Sequence, residues 1–454
     1  MGRKIKSVGL IIAVSVLVVG GVTMLPAAAL VPGNNTLVSY NSTNTAPSGS
    51  SGNIKAHTSA SGEIIVWSSQ SHDIVSGDTS TGNQLYHRNM RTGATLIVSL
   101  GDNDVPVGSS VNEFAVSSSG RYVAFSSISL DVVNSPTLTL TNRHHLYIRD
   151  TLQNTTKLVD TTSTGVPASL TDGAASRAMS VSDDGRFVGF TSSAANLANT
   201  SSFANPVSYV KDLNKGDLIK LATSSTGSLA NSNVYGLKGS CDGSIFVFYS
   251  NATNLTPEDD GQSNTYVVDM RNGLKVSNIT HSIDGDVNVH SISCNGRYLI
   301  LASAATNLTP DIVDGLVIHL YRYDRLEDKY SLIDKSSSGH VSTSNSGGST
   351  YEGGRLVGDD GKVVFFGRDA NLVTPAAPSN LELYVRNPEE NTTELVPIDS
   401  SGIARGLASG STQVLHNLEI SASGDKVVYN SFASNLIPGI GSGLGKKLVL
   451  SELE

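Results

Sequence analysis

Apolar and polar residues alternate in short runs along this chain, and each run follows a tight turn carrying glycine. The turns are Ser61-Gly62, Ser119-Gly120, Asp184-Gly185, Asp242-Gly243, Asn295-Gly296, Asp360-Gly361 and Ser423-Gly424, about one every 60 residues. Behind them the alternation predicts strands at Glu63–Ser68, Arg121–Ser126, Arg186–Thr191, Ser244–Tyr249, Arg297–Ala302, Lys362–Gly367 and Asp425–Asn430. A second landmark stands eleven residues past the glycine: Asp73, Asp131, Asn196, Asn254, Asn307 and Asn435, with Asn371 ten residues on in the sixth copy. An Asx followed by Leu, Ile or Val at that spot predicts a local side-chain-to-backbone turn. A calcium or ligand contact at each Asx is the functional reading, but recurrence in every copy favours the structural one. A third landmark is Tyr-x-x-Asx, at Tyr86/Asn89, Tyr147/Asp150, Tyr209/Asp212, Tyr266/Asp269, Tyr321/Asp324 and Tyr384/Asn387. Another β-like run follows each, such as Lys157–Asp160 and Glu394–Pro397.

Each copy therefore reads as a four-stranded meander. The seventh ends on a third strand, Lys447–Ser451, while Asn34–Ser39 resembles the fourth-strand segment Asn391–Val396. The pattern predicts that the N-terminal segment completes the seventh sheet. Such closure leaves no open sheet edge in the ring. The fold class is all-β: a seven-bladed β-propeller of four-stranded antiparallel blades, one domain across residues 30–454.

Composition narrows the partners. Charged residues are 16% of the 454, and Lys plus Arg (31) fall short of Asp plus Glu (40), a net charge of −9. A nucleic-acid binder or an anionic-membrane binder carries a basic surplus, so both are excluded as main partners. Residues 1–29 read as a secretory signal: Arg3, Lys4 and Lys6, an apolar stretch from Val8 to Leu25, then Ala27-x-Ala29 as a cleavage site. The competing reading is an uncleaved anchor, the one route to a membrane. Either way the expected location is secreted, periplasmic or cell-surface.

The best-formed copy is Ser182-Asp183-Asp184-Gly185-Arg186-Phe187-Val188-Gly189-Phe190-Thr191-Ser192, then Ala194-Ala195-Asn196-Leu197, then Tyr209-Val210-Lys211-Asp212. It resembles the WD40-like, TolB-type β-propeller repeats of bacterial secreted and periplasmic proteins. The resemblance covers essentially the whole chain after the leader and implies a propeller with binding roles. Its motifs are blade scaffolding and name no ligand. The sialidase Asp-box is a look-alike, but here Gly follows Asp directly and the one Trp is Trp67.

Candidate chemistry is sparse. Cys241 and Cys294 both stand two residues before a turn glycine in consecutive copies. Export permits a disulfide between them, and two small side chains filling one niche is the alternative. Gly239-Ser240-Cys241-Asp242-Gly243 matches a nucleophile elbow in letters, but it falls at a strand-to-strand turn rather than strand-to-helix. The ten His show no metal spacing. Glu258-Asp259-Asp260 and Asp311 with Asp314 could take Ca²⁺, but lack the calcium-loop signature and read as solvated acidic loops. No cofactor is expected.

The site argument comes from the repeat. In a propeller the first strand lies nearest the axis and starts at the face with the long loops. Eight residues before the glycines, at those strand starts, stand Ile54, Asn112, Arg177, Tyr235, Asn288, Gly353 and His416, with Glu352 beside Gly353. Asn112, Arg177, Tyr235, Asn288, Glu352 and His416 are thus the candidate ligand-binding residues at the channel mouth. The expectation is a non-catalytic binding module that contacts an envelope protein, peptide or glycan at its loop-bearing face. The alternative is a polysaccharide lyase or glycoside hydrolase using His416, Tyr235, Arg177 and Glu352.

Overall fold

The glycine turns sit where the pattern puts them, each joining the first two strands of a sheet. The computed structural model describes residues 35–41, 55–78, 80, 82–109, 111, 113–129, 132–134, 138, 143–170, 176–199, 206–311, 313, 315–346, 354–374, 376–377, 381–396, 417–431 and 447–453. The leader 1–29 lies outside them, as do Asp131, Asn435 and Asp314. Among the described residues no helix is long and apolar enough to cross a membrane.

Seven antiparallel sheets form among the described residues, six with their strands in chain order and the seventh taking its outer strand from the N-terminal segment. Blade 1 is Ala56–Thr58, Ile64–Ser69, Gln84–Asn89 and Thr95–Ile97; blade 2 is Phe114–Val116, Tyr122–Ser127, His145–Asp150 and Thr155–Leu158. Blade 3 is Ser176–Val181, Phe187–Ser192, Val207–Asp212 and Leu218–Lys220; blade 4 is Val234–Gly239, Ile245–Ser250, Asn264–Asp269 and Lys275–Asn278. Blade 5 is Val287–Ile292, Tyr298–Ser303, His319–Asp324 and Lys329–Leu332. Blade 6 shows Val363–Gly367, Glu382–Asn387 and Thr392–Val396, its inner edge marked by a Val357–Val363 bridge. Blade 7 is Leu418–Ile420, Lys426–Ser431 and Lys447–Glu452, completed by Asn35–Leu37 in the register Asn35↔Ser451 to Leu37↔Val449. The ring is therefore closed by the N-terminal strand, as the pattern predicts.

Why the blades adhere follows from the repeat positions. Arg121, Arg186 and Arg297, each next after a turn glycine, pair with Asp150, Asp212 and Asp324 of the Tyr-x-x-Asx landmark at 2.6–2.7 Å. That contact ties the two motifs together within one blade. Between blades, Gly185 lies so close to blade 2 that a Cβ there would stand 2.6 Å from the Tyr122 ring. Its φ of 70° is also left-handed, so two constraints select glycine. Apolar side chains fill the spaces between sheets: Val38, Trp67, Tyr86, Leu448 and Leu450 form one cluster across blades 7 and 1.

Two more inter-blade devices were not legible. The cation two residues after the landmark Tyr reaches back to the preceding blade. Arg149 donates to the Gly101 carbonyl (3.2 Å), and Lys211 to those of Thr161 (3.2 Å) and Thr162 (2.9 Å). The Asx landmark corrects the expectation of a local turn. Asn196 accepts from Ser169 N–H (2.8 Å) and donates to Pro167 O (2.9 Å). Asn254 does the same with Asn231 N–H and Leu229 O, both at 2.9 Å. A carboxamide has one donor and one acceptor group side by side, so it satisfies both backbone groups of the loop that crosses from the preceding blade. Recurrence had a structural cause, but one acting over more than twenty residues.

Candidate functional site

The seven inner strands surround an axis, and their last residues close one end of it. At two residues before the turn glycines, Ala60 N–H donates to Ser118 O (2.6 Å), Asp183 N–H to Cys241 O (2.7 Å) and Cys241 N–H to Cys294 O (2.8 Å). Asp359 N–H then donates to Ala422 O (2.7 Å), and Ala422 N–H to Ala60 O (2.8 Å). At the remaining two junctions the carboxylates of Asp183 and Asp359 accept from Ser119 N–H (2.7 Å) and Asn295 N–H (2.8 Å). Every link runs from one blade to the next in the same direction. Cys241 and Cys294 are members of this ring and are joined by a disulfide, with Cα atoms 4.7 Å apart.

Next to the ring lies a cavity of about 80 Å³ lined from all seven blades, with His57, Lys238, Arg355 and Glu419 as its ionisable members. His57 Nδ1 and Glu419 Oε2 are 2.9 Å apart, and Arg355 Nη2 lies 3.5 Å from Glu419 Oε1. Sequence reasoning missed this group. His57, Lys238 and Glu419 all stand five residues before a turn glycine, an offset that could have been read beside the eight-residue one.

At the other end of the inner strands stand the described members of the predicted mouth. Arg177, Tyr235 and Asn288 are the second residues of the inner strands of blades 3, 4 and 5. Tyr235 is 45% exposed, and its ring stacks on Tyr249 with centroids 5.5 Å apart. Gly236 beneath makes room: a Cβ there would meet the Tyr249 ring at 2.7 Å. The Tyr235 hydroxyl accepts from Asn233 Nδ2 at 2.6 Å. Arg177 is exposed, and no hydrogen bond or ion pair of its guanidinium is seen among the described residues. Its charge is felt by His144. Burial, reinforced by Arg177 and opposed by Glu113, holds that imidazole below its ordinary value. Asn288 accepts from Ser263 Oγ at 2.6 Å. Asn112, Glu352 and His416 lie outside the described residues, so two of the four residues of the lyase or hydrolase alternative do too.

A constant offset of eight does not define one ring. The inner strands of blades 3, 4 and 5 carry a β-bulge, between Ala178 and Ser180, Tyr235 and Lys238, and Val289 and Ser291. Those of blades 1 and 2 pair without one. An extra residue shifts the alternation by one, so in blades 1 and 2 the corresponding side chains stand seven before the glycine. These are Lys55 and Glu113, which form an ion pair at 2.8 Å between the two blades. The mouth over blades 1 to 4 therefore runs Lys55, Glu113, Arg177, Tyr235.

Among the described residues no cluster of three His, Cys, Asp or Glu side chains could hold a metal. Asp259 accepts from Leu255 N–H and Thr256 N–H, both at 2.8 Å, and organises its own loop. Asp311 pairs with Lys335 at 3.0 Å.

The fold and this face define a seven-bladed β-propeller with a polar, aromatic-edged mouth. The chain is similar to the β-propeller domain of the Trilobed protease from Pyrococcus furiosus at 12% identity and a TM-score of 0.48, over 89% of this chain and 96% of that one. It is similar to an oligogalacturonate lyase solved in complex with manganese at 13% identity and a TM-score of 0.49, over 94% of this chain and 99% of that one. TolB from Acinetobacter baumannii is similar at 13% identity and a TM-score of 0.38, over 75% of this chain and 62% of that one. No family model matches the chain, and no curated protein matches it. The propeller assignment stands on the seven sheets and their closure rather than on these likenesses.

Proposed function

We propose that this propeller is an exported, non-catalytic binding module that contacts a protein, peptide or glycan of the cell envelope or exterior at its loop-bearing face. The observation that carries the reading is the pairing of an exposed aromatic face, Tyr235 on Tyr249, with the open guanidinium of Arg177 at the same position of the adjacent inner strand. An exposed, pre-stacked tyrosine offers a flat apolar surface at low entropy cost, and a guanidinium beside it offers directional donors. Export is supported by the leader-like residues 1–29 and by the disulfide, which persists in oxidising compartments.

The test is a thermal-shift screen of the full chain against glycans, peptides and Ca²⁺, beside the Arg177→Ala/Tyr235→Ala variant. A ligand that binds the folded state raises its melting temperature by mass action. A shift seen for the parent chain and lost in the variant supports the reading. A shift that persists in the variant moves the site away from this mouth.

A further inference from the structure

We propose that the Cys241–Cys294 disulfide is a thiol-exchanging pair addressed through the axial cavity, with a low-molecular-weight thiol as its reaction partner. Both sulfur-bearing residues line that cavity rather than the apolar core, and both are half-buried. The architecture does not require the bond. The blade 4–blade 5 junction is already closed by Cys241 N–H donating to Cys294 O at 2.8 Å. The other six junctions of the ring have no covalent link, since the chain holds two cysteines.

One sulfur is set apart from the other. Arg355 reaches across from blade 6 and places Nη1 3.9 Å from Cys241 Sγ. The guanidinium is held there by its Nε donating to Ile420 O (3.0 Å) and by Nη2 donating to Thr58 O and Ser59 O (3.4 Å each). A fixed cation beside a sulfur favours its thiolate form, and a better-stabilised thiolate is the better leaving group. The cavity's other ionisable groups are Lys238, on the strand that leads to Cys241, His57 from blade 1, and Glu419 from blade 7, whose Oε1 lies 3.5 Å from Arg355 Nη2. Asp183 and Asp359 flank the pair within the ring. A cavity of about 80 Å³ exceeds the space one water needs and admits the end of a small thiol.

The step balances without another oxidant or reductant. An incoming thiolate, its proton released to solvent, attacks Cys294 Sγ. The new S–S bond forms as the Cys241–Cys294 bond breaks, and its electron pair leaves on Cys241 Sγ beside Arg355. A second thiolate attacks the external sulfur of the mixed disulfide and frees the Cys294 thiolate. The small thiol ends as its own disulfide, oxidised by two electrons, and the protein pair is reduced by two.

The experiment exposes the folded full chain to reduced glutathione, quenches with acid and reads intact mass and peptide maps. The expected result is one glutathione adduct on Cys294 under native conditions, forming at least tenfold more slowly in Arg355→Gln and close to the parent rate in Arg355→Lys. In a Cys294→Ala chain, iodoacetamide alkylation of Cys241 follows a midpoint below the ordinary thiol value of about 8.5. This readout stands even if Arg355→Gln fails to fold. An adduct that forms only in denaturant, an exchange rate indifferent to Arg355→Gln in a folded chain, or a Cys241 midpoint no lower than that of a free thiol would each overturn the proposal.

Discussion

Arg88 of blade 1 lies over the Tyr40 ring, its guanidinium carbon 3.5 Å from the ring centroid, while Nη2 donates to the Tyr40 carbonyl at 2.8 Å. Nη1 donates to the Val38 carbonyl. Tyr40 and Val38 follow the strand that completes blade 7, so one buried side chain of blade 1 fastens the seam of the ring. Burial pushes Arg88 down to about 10, with Tyr40 opposing, and it stays cationic at neutral pH. Arg88→Ala removes the donor to the Tyr40 carbonyl and one of the two donors to the Val38 carbonyl, which Tyr40 N–H also reaches at 3.1 Å, and is expected to cost about 2 kcal/mol. Urea unfolding gives the loss, and faster hydrogen exchange at residues 35–40 would locate it at the seam.

Two glycines separate backbone strain from blade contact. Gly185 and Gly227 both have left-handed φ, 70° and 81°. A Cβ at Gly185 meets Tyr122 at 2.6 Å, whereas one at Gly227 meets nothing within 4 Å. Gly227→Ala is expected to cost about 1 kcal/mol from conformation alone, and Gly185→Ala roughly 2 kcal/mol more from overpacking. Equal losses in paired denaturation curves would show that the turn does not bear on the next blade.

Acid stability has a named contributor in Asp369. Burial raises its carboxyl, but the Thr343 and Asn371 N–H groups and His340 outweigh burial and hold it at about 2, below its ordinary 3.8. The folded state therefore binds its proton less readily than the unfolded chain does. Its stabilisation is full above pH 3.8 and fades as pH falls toward 2. Asp369→Asn should flatten the stability–pH curve in that window, as urea titrations across pH would show.

Removing both cysteines should weaken the ring without opening it. The disulfide closes a loop across a sequence separation of 53, so Cys241→Ala/Cys294→Ala is expected to cost about 2–4 kcal/mol. The backbone link between the same two residues remains. A lowered melting temperature with an unchanged far-ultraviolet circular dichroism spectrum is the expected result.

The sequence by itself determined the blade count, the turn positions and the closing partner of blade 7. Those features are periodic and local: glycine before alternating residues, Tyr three before Asx, and one fourth-strand segment misplaced to the other end. Each is a property of a short window, and the strand period of two is written directly in such a window. The tertiary structure alone decided which polar residues share a face. Arg177 and Tyr235 were legible because the bulges of blades 3 and 4 place offset eight toward the mouth. Lys55 and Glu113 were not, because their strands lack the bulge, and one residue of slip exchanges the faces of a strand. The reach of Asn196 to Pro167 and of Arg355 to Cys241 was hidden for a different reason. Those contacts cross blades, and the ring sets which distant backbone meets them.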